Sequence, residues 1–314
     1  MTNYAWAGRV NRASSALGST RRLSRVLGRD WGLGYLLFAP LAAILLGLVA
    51  YPFLSSLLLS MQAKDIAGTA KFVGFENYRT LWTSSLFPVV TRNTFVYTVV
   101  GVLCKFMLGM TMALILNQEM KLRNVMRALV LLTWSAPVVV GCFTWRWILD
   151  GMNGVLNYLL IRVGLIDHAI QWLSDPKIAL WSVLLVVVWQ GTPFYILNFL
   201  AGLSSIDHAL YEAAAIDGAG TVQRFLHVTL PCLQQVIVVT VLMSSIFTSN
   251  EVQFVFILTN GGPANATTTF PMLAYNTALR GGQLGMGAAV ALSYVPFLLP
   301  LILLLTMRLF RQEG

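Results

Sequence analysis

The side chains best suited to binding a polar solute lie in a stretch of sequence that is otherwise apolar. Ser244, Thr248 and Glu251 are separated by four and three residues, which places them on one face of an α-helix. Together they supply both the hydrogen-bond donors and the acceptors that a hydroxyl-bearing solute needs. Polar side chains in apolar helices also hydrogen-bond to neighbouring helices. The pattern alone leaves both interpretations open.

A second candidate segment reads WQGTPF at 189–194. Pro193 removes a backbone donor and Gly191 adds freedom, so we expect a kink that turns Gln190 and Phe194 toward a central cavity. Phe194 or Trp189 would suit stacking against a ring of the solute, but a kink that serves packing alone fits the pattern equally. The substrate-binding candidates are Gln190, Gly191, Phe194, Ser244, Thr248, Asn250 and Glu251.

The sequence offers no catalytic or metal-binding cluster. The three histidines lie in predicted loops without the spacing of metal ligands: His168, His208 and His227. The three cysteines are an odd number within or beside apolar stretches, so we interpret them as small buried hydrophobes: Cys104, Cys142 and Cys232. None of the five lysines is followed by Ser or Thr, so a phosphate-binding G-x-x-x-x-G-K-[ST] loop is absent. We therefore expect neither an enzyme nor a cofactor in this chain.

Composition determines the kind of element that must position these side chains. The chain has 314 residues, of which 57% are hydrophobic and only 11% charged, whereas soluble domains have about 25% charged residues. A helix needs about 20 apolar residues to cross a membrane, and the apolar runs do not alternate as β-barrel strands do. We predict an all-α membrane protein with six spans, at 33–60, 90–117, 125–148, 178–202, 231–258 and 284–308.

The net charge of +9 is concentrated near one side of the predicted membrane. Six arginines lie within residues 1–30, without interleaved aromatic residues, which favours a cytoplasmic anchor over nucleic-acid binding. With the N-terminus inside, the inner segments carry twelve Lys and Arg residues and the outer segments seven. This distribution favours an inside location for both termini. Lys105 falls within a span, where we expect it to contact another helix or another subunit.

The loop between the fourth and fifth spans, about 203–231, departs from the basic trend of the inner side. It carries Asp207, Glu212 and Asp217 against Arg224. Residues 207–216 favour a short helix, which Gly218 would end, and a second short helix leads to the fifth span. The pattern fits an acidic docking surface for a basic partner, and equally a solvated connector.

This loop resembles a known motif. EAAAIDG at 212–218, nine further residues and VTLP at 228–231 resemble the EAA loop of ATP-binding-cassette (ABC) importer permeases, with Val228 as the single departure. Four other stretches resemble the carbohydrate branch of these permeases: FVGFENY at 72–78, GMNGVLN at 151–157, WQGTPF at 189–194 and LTNGGP at 258–263. The resemblance extends from about Tyr35 to Arg311.

The resemblance implies a fold, a function and a set of partners. The EAA loop of the family docks into a separate cytoplasmic ATPase, so Glu212 would make a polar contact and Gly218 the turn. The ATPase-coupling candidates are Glu212, Ala213, Ala214, Asp217, Gly218, Leu230 and Pro231. The implied partners are a second, homologous permease, two ATPase subunits, a periplasmic or extracellular solute-binding protein, a sugar and membrane lipids, but no nucleic acid. The implied location is a bacterial inner membrane.

The resemblance also bears on the solute. The polar face of the fifth span is similar in position to residues that hold sugar in the maltose permease, but Thr248 and Glu251 stand where that relative has asparagines. The same sugar is therefore not implied. We expect a basic tail at 1–30 and a six-helix type I permease domain at 31–314. Two alternatives remain: a stand-alone secondary transporter or channel, which would leave the acidic loop unexplained, and a membrane-embedded enzyme.

Overall fold

The computed structural model describes residues 31–68 and 70–310, so the expected basic tail at 1–30 and residues 311–314 lie outside it. Contacts divide the chain into two units, with the boundary after Leu58. The first unit is helical throughout its described part, with α1 at Trp31–Leu45, a π-helical turn at Leu46–Ala50 and α2 beginning at Tyr51 and ending at Ser60, just past the boundary. Its large apolar side chains are exposed, as expected for a helix in lipid.

The second unit begins with a small hairpin and continues as helices. Strands β1 (Gln62–Ala63) and β2 (Lys71–Phe72) are antiparallel, with Gln62 opposite Phe72. The helices are α3 Glu76–Thr83, α4 Leu86–Asn117, α5 Arg123–Ser135, α6 Val138–Ile148, α7 Val155–Arg162, α8 Ala179–Ser204, α9 His208–Ile216, α10 Thr221–Arg224, α11 Leu230–Asn250, α12 Gln253–Leu258, α13 Phe270–Tyr275, α14 Leu284–Ser293 and α15 Val295–Phe310. Further π-helical turns lie at Phe225–Thr229 and Asn276–Arg280.

The core of the second unit forms where α4 packs along α8. Gly109 permits the close approach, because a Cβ atom at this position would overlap the side chain of Tyr195. Buried apolar side chains from the two helices and from α11 surround this contact: Met110, Ala113, Leu116, Tyr195, Ile196, Phe199 and Leu233. The predicted all-α fold is confirmed. Five helical runs among the described residues are long and apolar enough to span a membrane: 34–60, 86–117, 179–204, 221–258 and 284–304. The number is six if α5 and α6 form one broken span.

The predicted third span at 125–148 is not a single helix. α5 and α6 meet at an angle of 94°. Ala136 and Pro137 between them have ψ angles of 131° and 130°, which are extended rather than helical. Proline disfavours the helical conformation of the residue before it and lacks an N–H of its own. The apolar pattern continues through this break, so hydropathy alone does not detect it.

The fifth span is also interrupted. α11 ends at Asn250, and Glu251 has φ −75° and ψ 116°, so it is extended. The expectation that Glu251 lies on a helical face with Ser244 and Thr248 is therefore wrong. Its Oε1 accepts a hydrogen bond of 3.1 Å from the backbone N–H of Gln253, at the start of α12. By contrast, α8 runs uninterrupted through Pro193.

Two of the family-like motifs build loops. In GMNGVLN, buried Asn157 donates to the carbonyls of Ile170 (2.9 Å) and Gly151 (3.2 Å) and accepts from Trp172 Nε1 (2.9 Å). The backbone N–H groups of Asn153 and Met152 bind the side chain of Asp150 and hold the pKa of that carboxyl below its usual value. Asn157 thus joins the two ends of this loop.

In the segment after α12, Gly261 has a φ of +85°, which favours glycine. The hydroxyl of Thr268 donates to the carbonyl of Gly261 (2.9 Å), and that of Thr267 to the carbonyl of Gly262 (2.8 Å). Asn93 of α4 donates to the carbonyl of Thr268 (3.1 Å) and so fixes the segment to the helices.

Candidate solute-binding cavity and docking loop

The helix breaks open onto a cavity of about 450 Å³ in the second unit. Its wall is formed by α4, by α5 and α6 at the break between them, by α8, by α11, and by Glu251 with the α12 that follows it. The lining residues are Lys105, Trp134, Ala136, Pro137, Val138, Val187, Gln190, Gly191, Phe194, Ser244, Phe247, Thr248, Glu251 and Phe254. The cavity therefore combines a mostly apolar wall with a few polar groups, the usual composition of a small-molecule site.

Most of the substrate-binding candidates meet around this cavity. The six that line it are Gln190, Gly191, Phe194, Ser244, Thr248 and Glu251. Asn250 is outside the lining; it is exposed, and its amide donates to the carbonyl of Ile246 (2.9 Å) in its own helix. Trp189 is also outside, because its ring packs edge-on against Trp145 at 5.6 Å. Of the two aromatic rings considered for stacking, only Phe194 is at the cavity.

Lys105 joins these candidates, although the sequence patterns did not place it among them. Its side chain is 4% exposed, and its Nζ donates a hydrogen bond of 2.5 Å to the hydroxyl of Thr248 on α11. It therefore contacts another helix, as expected, and also lines the cavity. The available signal was the cost of a charge in the membrane, which makes any ionisable residue within a span a candidate for function.

Gly191 accommodates the lysine. A Cβ atom built on Gly191 would lie 2.6 Å from Cδ and 3.3 Å from Nζ of Lys105. The first distance is far shorter than van der Waals contact, so an alanine at this position requires the lysine side chain to move. Gly191 thus shapes the cavity through the space that it leaves.

Gln190 connects the cavity to the α5–α6 break. Its Nε2 donates to the carbonyl of Ala136 at 3.3 Å, and this satisfies a backbone group that the break removes from the helix. Its Oε1 is buried and has no hydrogen-bond partner among the described residues. This amide therefore retains one free acceptor.

Aromatic rings form much of the apolar part of the cavity wall. Four of them line the cavity: Trp134, Phe194, Phe247 and Phe254. Phe194 and Phe247 meet edge to face with centroids 6.5 Å apart. Flat apolar rings beside hydroxyl, amide, ammonium and carboxylate groups suit a solute with apolar faces and polar edges. No cluster of His, Cys, Asp and Glu that could hold a metal occurs in the described part of the chain.

The coupling candidates lie on and beside α9. Asp207 caps its start, accepting a 3.0 Å hydrogen bond from the N–H of Ala209. Gly218 has a φ of +78°, and the N–H of Ala219 bonds to the carbonyl of Ala214 (2.9 Å), which closes the last turn. Glu212, Ala213 and Asp217 are exposed, and Leu230 and Pro231 begin α11.

The surface of this loop is more apolar than its charges indicate. Ile216 is 87% exposed, and the other large exposed apolar side chains nearby are Leu210, Val222 and Leu226. Tyr211 hydrogen-bonds to the hydroxyl of Thr229 (3.0 Å), which joins α9 to the turn before α11. An exposed apolar helix that is fixed to a span is suited to docking another protein.

Residues 105–310 match the sequence profile of the family described as the binding-protein-dependent transport system inner membrane component. The chain belongs to this family. It is 34% identical to the trehalose/maltose transport system permease protein of Thermococcus litoralis, over 92% of this chain and 98% of that protein. It is 32% identical to the sulfoquinovosyl glycerol transport system permease protein of Agrobacterium fabrum, over 82% and 84% of the two chains.

The fold has a counterpart among solved structures. A chain of a bacterial ABC transporter that imports the acidic polysaccharide alginate superimposes with a TM-score of 0.76 at 23% identity, over 92% of this chain and 99% of that chain. The family match and the two relatives confirm the resemblance identified from the sequence motifs, and with it the prediction of a transport permease rather than an enzyme. A membrane-embedded enzyme is excluded by the family.

Proposed function

We propose that this permease forms half of the translocation pathway of an ATP-driven carbohydrate importer. The cavity carries the proposal, because it places stacking rings beside hydrogen-bonding groups within the membrane-spanning helices. The names of the relatives support a sugar as solute, since they include trehalose/maltose, lactose and diacetylchitobiose permeases. Gln190, Gly191, Phe194, Ser244, Thr248 and Glu251 form the solute site in this proposal.

The proposed complex contains four kinds of subunit or ligand besides this chain. A second, homologous permease completes the pathway, and two copies of a separate ATPase supply the energy. A solute-binding protein delivers the sugar, in accordance with the binding-protein-dependent family. The proposed location is the inner membrane of a bacterium. Closure of the ATPase pair would move α9 and open the cavity to the outside by alternating access.

The coupling role of α9 has a direct test. Glu212→Lys reverses an exposed charge on the docking helix, and Gly218→Val forces a β-branched residue into φ +78°. We expect both variants to abolish uptake and to reduce the amount of ATPase that co-purifies with the permease. The measurement is co-purification of the ATPase from membranes, together with uptake of labelled sugar.

Matched controls separate docking from general damage. Glu119→Lys reverses another exposed charge in the predicted inner loop after α4, and Gly164→Val imposes similar strain at φ +73°, far along the chain. Both should retain the ATPase and transport. Normal assembly and uptake in both α9 variants would refute the coupling role. Robust sugar uptake by this chain alone in vesicles would favour the stand-alone transporter instead.

A further inference from the structure

Given the proposed carbohydrate transport, we propose that Lys105 contacts the sugar directly, is positioned by Gly191 and Thr248, and together with Glu251 makes the cavity selective for uncharged sugars. Four observations support this proposal: the space left by Gly191, the hydrogen bond to Thr248, the unused donors of the ammonium group, and the charges that line the cavity.

The position of Lys105 depends on two residues far along the chain. The lysine stem occupies the space beside Gly191 that a Cβ atom would take, and its Nζ is held by Thr248. Because the hydroxyl of Thr248 already accepts from the ammonium group, its main role in this arrangement is to position Lys105. The lysine is thus held between α8 and α11 at the cavity wall.

The ammonium group keeps donors for a ligand. It has three N–H groups, and Thr248 is its one acceptor among the described residues. Because the side chain is 4% exposed, these donors are shielded from bulk water. A buried donor without a partner is unfavourable, so a solute hydroxyl that accepts from it in the cavity would be bound with substantial gain. The unpartnered Oε1 of Gln190 offers an acceptor at the same cavity.

The charges of the lining decide the class of sugar. Among the described lining residues the titratable groups are Lys105 and Glu251, one of each sign, and no Arg, His or Asp is present. An acidic sugar would add a negative charge that no further cation offsets, and an uncompensated charge within the membrane is costly. A neutral sugar can accept from Lys105 and donate to Glu251, so the two charges favour a polyhydroxylated but uncharged solute.

The positioning of Lys105 by Gly191 is tested by a double-mutant cycle in the whole importer, reconstituted with its partner subunits in proteoliposomes. Lys105→Met keeps the bulk of the stem without the charge, Lys105→Ala removes the stem, and Gly191→Ala fills its space. We expect each variant to lower sugar uptake about ten- to a hundredfold. Adding Gly191→Ala to Lys105→Ala should cause less than a twofold further loss, because no stem remains to be displaced.

Uptake and the co-purification of the partner subunits together distinguish direct solute contact by Lys105 from a purely structural role. Gly101→Ala is the matched control, because a Cβ there meets Leu184 and Thr248 at ordinary contact distances of 3.4 and 3.5 Å. Uptake and the co-purification of the partner subunits should be normal for this variant. If Lys105 only holds helices together, its variants would lose assembly in parallel with uptake. If Gly191→Ala is fully harmful without the lysine stem, Gly191 does not act through Lys105. Either result would overturn the proposal.

The selectivity of the cavity for uncharged sugars is tested with a panel of labelled sugars. The neutral probes are trehalose, maltose, lactose and diacetylchitobiose, and the acidic probe is an alginate disaccharide. Uptake of a neutral sugar, lowered by Lys105→Met, supports the proposal. Uptake of the acidic probe alone would overturn the charge argument and leave carbohydrate import standing. Lack of uptake of every probe would count against carbohydrate import itself.

Discussion

Asn157 and Lys105 are both buried polar side chains, 2% and 4% exposed, but the two regions around them use hydrogen bonds differently. Asn157 both donates and accepts, and its four shortest hydrogen bonds, of 2.9–3.2 Å, link Gly151, Ile170 and Trp172 within one loop. Among the described residues, Lys105 has one hydrogen-bond partner, and Gln190 in the same cavity has an acceptor without one. The polar groups of the loop bond to one another, whereas some of those at the cavity have no partner among the described residues and are available to the proposed solute.

The largest effect that tests this contrast is on stability. Asn157→Ala leaves the ring N–H of Trp172 and the backbone of Ile170 without their partner, which should lower the free energy of unfolding by about 2–4 kcal/mol. The measurement is thermal unfolding of the purified complex in detergent, where a clear decrease in Tm is expected. Asn153→Ala, an exposed asparagine of the same loop, is the control and should leave Tm unchanged. An unchanged Tm for Asn157→Ala would show that the hydrogen bonds of Asn157 do not stabilise the protein, and would contradict the contrast with the cavity.

A smaller effect, on transport rather than stability, is expected at Glu251. A hydrogen bond to a charged group contributes about 1.5–3 kcal/mol, so Glu251→Ala should slow uptake about ten- to a hundredfold. Glu251→Gln keeps an acceptor for the N–H of Gln253 and for the sugar, so its effect should be milder. Uptake and ATPase activity are measured in parallel with the sugar affinity of the isolated binding protein, which should not change. Loss of assembly in both variants would instead assign Glu251 to the structure.

The smallest effect is expected at Asn250, the residue directly before Glu251. Its side chain is exposed and bonds to its own helix, outside the cavity lining. Asn250→Ala should therefore change uptake by less than about twofold, within the usual range for a surface substitution. The pair Asn250 and Glu251 thus tests whether position at the cavity, rather than polarity within the fifth span, determines transport. A tenfold loss for Asn250→Ala would contradict the boundary of the site.

The sequence was sufficient to predict the spans, since hydrophobic length and membrane thickness fix where apolar helices must lie. It also located the short helix between the fourth and fifth spans, because Asp207 and Gly218 are strong signals for the ends of a short helix. The breaks at Ala136–Pro137 and at Glu251 were not predicted as breaks. Both occur in continuous apolar or helical patterns. A tertiary hydrogen bond from Gln190 to Ala136 and a local one from the N–H of Gln253 to Glu251 replace part of the lost helical bonding.

The cavity was predicted in part. Six of seven candidates line it because two polar stretches, on α8 and α11, happen to face each other. Lys105 was recognised as unusual, but its partner Thr248 is 143 residues away, so local spacing could not identify the contact. The role of Gly191 as space for that lysine is still less visible in a sequence, since it depends on an atom that the residue lacks.

Because both ends of α9 are capped, the entropic cost of ordering this helix is already met in the permease. Asp207 and the left-handed Gly218 fix the helix, and Tyr211 holds it to Thr229. Ordering a free segment on binding costs about 1–2 kcal/mol per residue in backbone entropy. Because that order already exists in the permease, association with the proposed ATPase partner would not need to supply it. In the proposed complex, movement of the ATPase would then be transmitted to α11 by a stiff element instead of being lost in folding and unfolding a loop.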